Sequence, residues 1–242
     1  MRSLTQIGQT SDVPFASDAE RPYRGDLASV YHQGKRSIPE RAIPWVCRAR
    51  AELFQPQVKP DHVVFEFGCG WGWNLGALQC ARRLGHDLAP MVPPALARLG
   101  IEFVEHTERI PDGSCDRILC HHALEHVLEP SGVLEELRRL VRPDGRLLLA
   151  VPEEREARYR RFDPCEPNHH LYSWTVQTLA ALVTVCGWRV EEAGVRRYGY
   201  DRRAAFLADR FGWGEAGFRN VRWGLRSLRP IREVVVSAVA AS

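Results

Sequence analysis

A chain of 242 residues with 45% hydrophobic and 26% charged side chains can bury one generous core, and no apolar run approaches the ~20 residues that span a bilayer. Seven cysteines, an odd number with no C-x-x-C pair, exclude a disulfide framework and a zinc ribbon. The formal charge of +3 hides an asymmetry: residues 195–232 hold ten arginines against Asp201, Asp209 and Glu215, so this stretch stands at +7 and the remainder at −4, which points one face at something anionic.

In chain order, the polar opening MRSLTQIGQTSDVPFASDAE lacks the apolar centre of an export signal, so the cytoplasm is the expected compartment. Residues 1–58 read as a lid and a leading helix, with YHQGKRSIPER at 31–41 placed to cover a ligand. Residues 63–67 (VVFEF) read as a short buried strand ended by glycines, 74–84 as a helix, and 85–87 as the close of a second strand. A helix over 93–99, an extended piece at 101–104 and a buried strand at 116–120 follow. Val133, Leu134, Leu137, Leu140 and Val141 recur at helical spacing until RPDG at 142–145 stops them before a strand at 146–151. Residues 175–186 give another helix, 188–192 a strand, and 234–240 the last strand. Alternating strands and helices mean a mostly parallel sheet with helices on both faces.

In such a sheet the ligand lies at the carboxyl ends of the strands, where strand order reverses. The turn there is FEFGCGWGWN: glycines at 68, 70 and 72 free the backbone for a close approach, and a helix after it would present N–H groups to a negative group. Dinucleotide enzymes space their glycines G-x-G-x-x-G, whereas the spacing here is G-x-G-x-G. Asp87, 21 residues beyond Glu66, can accept both hydroxyls of a ribose. The Tyr31, Lys35 pair has the spacing of a short-chain dehydrogenase but precedes the glycine turn instead of following it.

These residues resemble the class I S-adenosylmethionine-dependent methyltransferases, whose signature E/D-x-G-x-G-x-G matches Glu66 to Gly72. The resemblance continues through GHDLAP (85–90), EHTERIP (105–111), DRILCHHALEHVLEP (116–130), LRRLVRPDGRLLLAVP (137–152) and NHHLYSWTVQTLAALVTVCGW (168–188). It implies a Rossmann-like α/β fold with strand order 3-2-1-4-5-7-6, a binding domain over 59–242, and an acceptor cap inserted at about 195–232. It also implies S-adenosylmethionine as donor, leaving S-adenosylhomocysteine. Gly68, Gly70 and Gly72 would pass beneath its methionine end and Asp87 would hold its ribose. Glu66, Cys69, Trp71, Asn74, Leu88, His121 and His122 complete the expected cofactor set. Trp71 or Trp73 offers a cation–π face to the sulfonium. His106 stands where relatives often carry Asp for adenine, which passes that contact to backbone or to Glu108.

CHHALEHV at 120–127 admits three readings. Glu125 and His126 brace the turn while His121 or His122 lines the pocket; or a histidine takes the acceptor's proton, with His126, His169 and His170 as candidates; or His122, Glu125, His126 and His170 hold a divalent metal that acidifies an acceptor hydroxyl. For the last, the ubiquinone-biosynthesis O-methyltransferases and the small-RNA 3′-end 2′-O-methyltransferases look similar, although His122 replaces their first glutamate. The catalytic set expected is His126, His170 and Glu125. The acceptor expected is small and anionic or polyhydroxylated, with RNA and a non-catalytic partner role as alternatives. In the tail, arginines interleave with Tyr198, Tyr200, Phe206, Phe211, Trp213, Phe218 and Trp223, which suits a clamp on an anionic acceptor. The other reading has Asp201 cap a helix that packs down on Ala204, Ala205, Leu207, Ala208 and Phe211, leaving the arginines solvated.

Overall fold

The computed structural model describes residues 38–154 and 168–241; most of the expected lid at 31–41 therefore lies outside the described residues. A seven-stranded sheet runs β3-β2-β1-β4-β5-β7-β6, the order the resemblance implies. Its strands are β1 (Val63–Phe67), β2 (Arg82–His86), β3 (Glu102–Phe103), β4 (Cys115–His121), β5 (Val141–Pro152), β6 (Trp188–Tyr198) and β7 (Ile231–Ala240). The pairs from β3 to β5 are parallel, and β7 runs antiparallel to both β5 and β6. Parallel neighbours bury both faces of β1, hence Val63, Val64, Phe65 and Phe67, interrupted only by the buried Glu66.

Helices α1 (Ile43–Phe54) and α2 (Val92–Arg98) cover one face through Ala51, Phe54, Val92 and Leu96. Helices α3 (Pro130–Leu140) and α4 (Val176–Val185) cover the other through Leu134, Leu137, Leu140, Leu179 and Val183. Thr175 and Thr178 close a reciprocal capping box at the start of α4. Between β6 and β7 a helical hairpin, α5 (Asp201–Arg210) and α6 (Gly214–Leu228), packs Ala204, Ala205, Ala208 and Phe218 against Val46 and Ala49 of α1.

Three expectations are corrected. Residues 74–84 form no helix: Gly76 N–H closes one turn on Gly72 O (2.8 Å), after which Ala81 N–H bonds His62 O (2.9 Å) and β2 has begun by Arg82. Only nine residues separate Gly72 from β2, too few for a helix and its return, so the glycine turn is followed by turns and not by a helix start. RPDG at 142–145 does not precede β5 but bulges within it, shifting register between Cys115 and Arg117. Asp201 does not cap α5. Tyr200, at φ 65°, holds the cap position, while Asp201 is buried among arginines; Leu207 and Phe211 face outward.

Candidate active site

Strand β1 lies between β2 and β4, so the chain reverses direction across the sheet there, and a cleft of about 850 Å³ opens at the carboxyl ends of these strands. Gly68, Cys69, Gly70, Trp71 and Asn74 form one wall, with Asp87 and Leu88 beside them. Gly68 sits at φ 67°, and a Cβ there would come within 2.4 Å of Ala123, so only glycine lets the turn pass under the β4 end. Asp87 accepts the Gly70 N–H at 2.8 Å through Oδ2 and the Ala89 N–H at 3.0 Å through Oδ1, which fixes the carboxylate at the cleft edge.

Three of the expected cofactor residues lie elsewhere. A Cβ on Gly72 would strike Leu96 and Ile101, so this glycine serves helix–strand packing. Glu66 is fully buried behind the wall, where Asn74 Nδ2 donates to it at 2.5 Å, and burial pushes its carboxyl up to about 8. Glu108 is exposed outside the cleft, and Thr107 and Glu136 line it instead.

His121 and His122 line the cleft, but as a pair. Successive strand residues alternate faces, and His122 escapes that rule at φ 55°. Its ring therefore stacks on His121 at 4.4 Å with 16° between planes. Both Nε2 atoms reach one oxygen of Glu233, at 3.1 and 2.9 Å, and Arg196 takes the other oxygen. Glu233 is fully buried; burial opposes its charge, yet the hydrogen bonds from His121 and His122 hold it far below the usual carboxylate range. Burial first, then the neighbouring His121, pushes His122 down to about 3.

His126 also lines the cleft, with Glu125 and His170 behind it outside the lining. The Leu171 N–H bonds Glu125 O at 2.8 Å, which brings the loop after residue 168 against the turn at Leu124–His126. The His126 and His170 rings cross at 61° with centroids 4.8 Å apart, and Glu154 contacts His170 Nδ1. Donor atoms of Glu125, His126 and His170 lie within 4.8 Å of one another, as do those of His121, His122 and Glu233. The four-residue metal set expected from the sequence is thus divided: His122 belongs to the other group. Imidazole lone pairs lie in the ring plane, so rings stacked face to face, as His121 and His122 are, point along separate planes. The group of Glu125, His126 and His170 fits a divalent ion; in the other, both Nε2 atoms and both carboxylate oxygens are already engaged with one another and with Arg196.

Glu233, on β7, was invisible in the sequence, as was the buried cluster beneath the rim. There Arg50 Nε and Arg222 Nε approach Asp201 at 2.8 and 2.6 Å, with Arg226 at 3.9 Å. Against the cost of burial, Arg50 and Arg222 hold Asp201 below its ordinary value. Burial and Arg222 lower Arg226 to about 10. Three guanidiniums around one carboxylate leave net positive charge under the rim residues Tyr198, Tyr200 and Arg202.

The family model described as a methyltransferase domain matches residues 39–193. Ubiquinone biosynthesis O-methyltransferase of Aeromonas salmonicida is 28% identical over 167 residues, covering 62% of this chain and 65% of that one. A 37.1 kDa protein of transposon TN4556 in Streptomyces fradiae is 35% identical over 108 residues, 39% of this chain. The chain spans about a third of the Streptomyces protein and just under two thirds of the Aeromonas one. Among solved structures, 1,6-didemethyltoxoflavin-N1-methyltransferase of Burkholderia thailandensis, with its acceptor and S-adenosylhomocysteine bound, superposes with a TM-score of 0.62 at 21% identity, over 96% of this chain and 93% of that one.

Proposed function

The chain belongs to the methyltransferase-domain family, and on that premise we propose that it transfers a methyl group from S-adenosylmethionine to an oxygen or nitrogen of a small anionic or polyhydroxylated acceptor. The observation that carries this reading is Asp87, fixed at the end of β2 across from bare main chain at Gly68 and Gly70. Its carboxylate accepts ribose hydroxyls, the glycine turn admits the methionine end, and Trp71 offers an aromatic face to the sulfonium. Relatives named for an oxygen and for a nitrogen acceptor support leaving the nucleophile at that level.

A sulfonium donor has a neutral leaving group, so the protein's work is to align the acceptor and to take its proton. His126 reaches the cleft wall and is the proton acceptor in this reading; Glu125 and His170 orient it. The same three side chains would hold a divalent ion, which when bound lowers the pKa of an acceptor hydroxyl. Net positive charge from Arg50, Arg222 and Arg226 draws an anionic acceptor to the rim.

Calorimetry and turnover test the assignment together. Asp87→Ala weakens S-adenosylmethionine binding by at least about tenfold, the worth of one hydrogen-bonded charge. His126→Ala spares binding and lowers turnover by about 10²-fold or more. The reverse pattern overturns the roles, and absence of donor binding to the unaltered chain overturns the function.

A further inference from the structure

The hairpin α5–α6 has two unlike sides. Its three acids all point inward to the neighbourhood of α1: Asp209 meets Arg41, Glu215 meets Arg48 Nη2 at 2.5 Å, and Asp201 meets Arg50. Among the described residues no carboxylate balances the outer side, where the guanidiniums of Arg203 and Arg210, and of Arg229 just beyond α6, are exposed with no ion pair. Between them stand Phe206, Phe211, Trp213, Trp223 and Leu228, from 53% to 86% exposed. Six of the twelve exposed large hydrophobics among the described residues fall in this hairpin. Phe211 and Trp213 stack on each other at 4.9 Å at its tip, a rigid apolar point beside Arg210.

We propose that this face seats on an anionic lipid membrane surface. Guanidiniums complement acidic headgroups, and Trp and Phe side chains favour the boundary between headgroup and acyl chain. Leu228, at 86% exposure, can enter that boundary but has no face for a nucleic-acid base, which argues against RNA as occupant. Among the described residues no helix is long and apolar enough to cross a membrane, so the hairpin lies on the surface and does not span it. Tyr200, Asp201 and Arg202, where the hairpin begins, line the cleft; docking therefore sets the cleft rim beside the bilayer.

Co-sedimentation of the full chain with vesicles tests this, using phosphatidylcholine alone and phosphatidylcholine with 30% phosphatidylglycerol. The chain partitions onto the anionic vesicles only, and 0.5 M salt weakens this at least tenfold through screening. Arg203→Glu with Arg210→Glu reduces partitioning by about 25-fold, at about fivefold for each arginine, and Phe211→Ala with Trp213→Ala by at least tenfold. Both double variants stay folded, because none of these side chains belongs to the hydrophobic core clusters. Equal binding to neutral vesicles overturns the proposal, as does no binding to the vesicles that contain phosphatidylglycerol. So does arginine-dependent binding of single-stranded RNA in place of vesicles, or a concentration-dependent dimer that Phe211→Ala with Trp213→Ala abolishes.

Discussion

Two clusters of the same composition, two histidines and a glutamate each, stand a few residues apart on the cleft's flank and differ in one angle. His121 and His122 lie nearly parallel over Glu233, at 16°, whereas His126 and His170 cross at 61° beside Glu125. The parallel pair is closed on itself: its carboxylate is shared among two imidazoles and Arg196, and it ties β4 to β7 and β6. The crossed pair brings its donor atoms and those of Glu125 within 4.8 Å of one another, with His126 on the cleft wall. Residue type and spacing do not separate a brace from a ligand set; the partners each atom already holds do.

The strongest way to break this contrast is Glu233→Gln. Removing the charge of the fully buried Glu233 takes the counterion from Arg196, itself 31% exposed, a loss of about 3 kcal/mol for its charged hydrogen bonds, read by denaturant unfolding. Mn²⁺ binding should not change; if it vanishes while stability holds, the two clusters have exchanged roles. His170→Ala is the converse test. It should raise the Mn²⁺ dissociation constant at least about tenfold, since one of three ligands is gone, and cost about 1–2 kcal/mol of stability, because the buried Glu154 side chain loses its partner. The smallest effect is a pH slope. Folding holds His122 below its unfolded value of about 6.5 down to about 3, so the unfolded chain binds the extra proton and stability falls as pH drops from about 6.5 toward 3. His122→Asn, which tolerates φ 55°, should flatten the thermal midpoint between pH 6.5 and 5.

The centre of the sheet was legible because β1, β4 and the second half of β5 carry short apolar runs, and because one motif fixes where β1 ends. Asp87 could be placed on its spacing from Glu66. What failed was whatever long-range contact decided. Gly76 and a short return cancelled the helix at 74–84, although its letters allow one. Asp201 read as a cap since Arg50, 151 positions earlier, leaves no local mark. His122 changed groups through a single left-handed backbone angle, and Glu233 meets it only through the antiparallel register of β7 on β5, 111 positions away.

The three bridges from the hairpin toward α1 are graded in depth. The guanidinium side is 68% exposed at Arg41, 48% at Arg48 and 26% at Arg50. Counterions reach the first two before the last, so rising ionic strength should loosen the hairpin from its tip and leave Asp201 as the hinge. Detachment would then run in one direction, like a hatch lifting on its innermost edge, and the chamber beneath would keep its shape until the final anchor gives way.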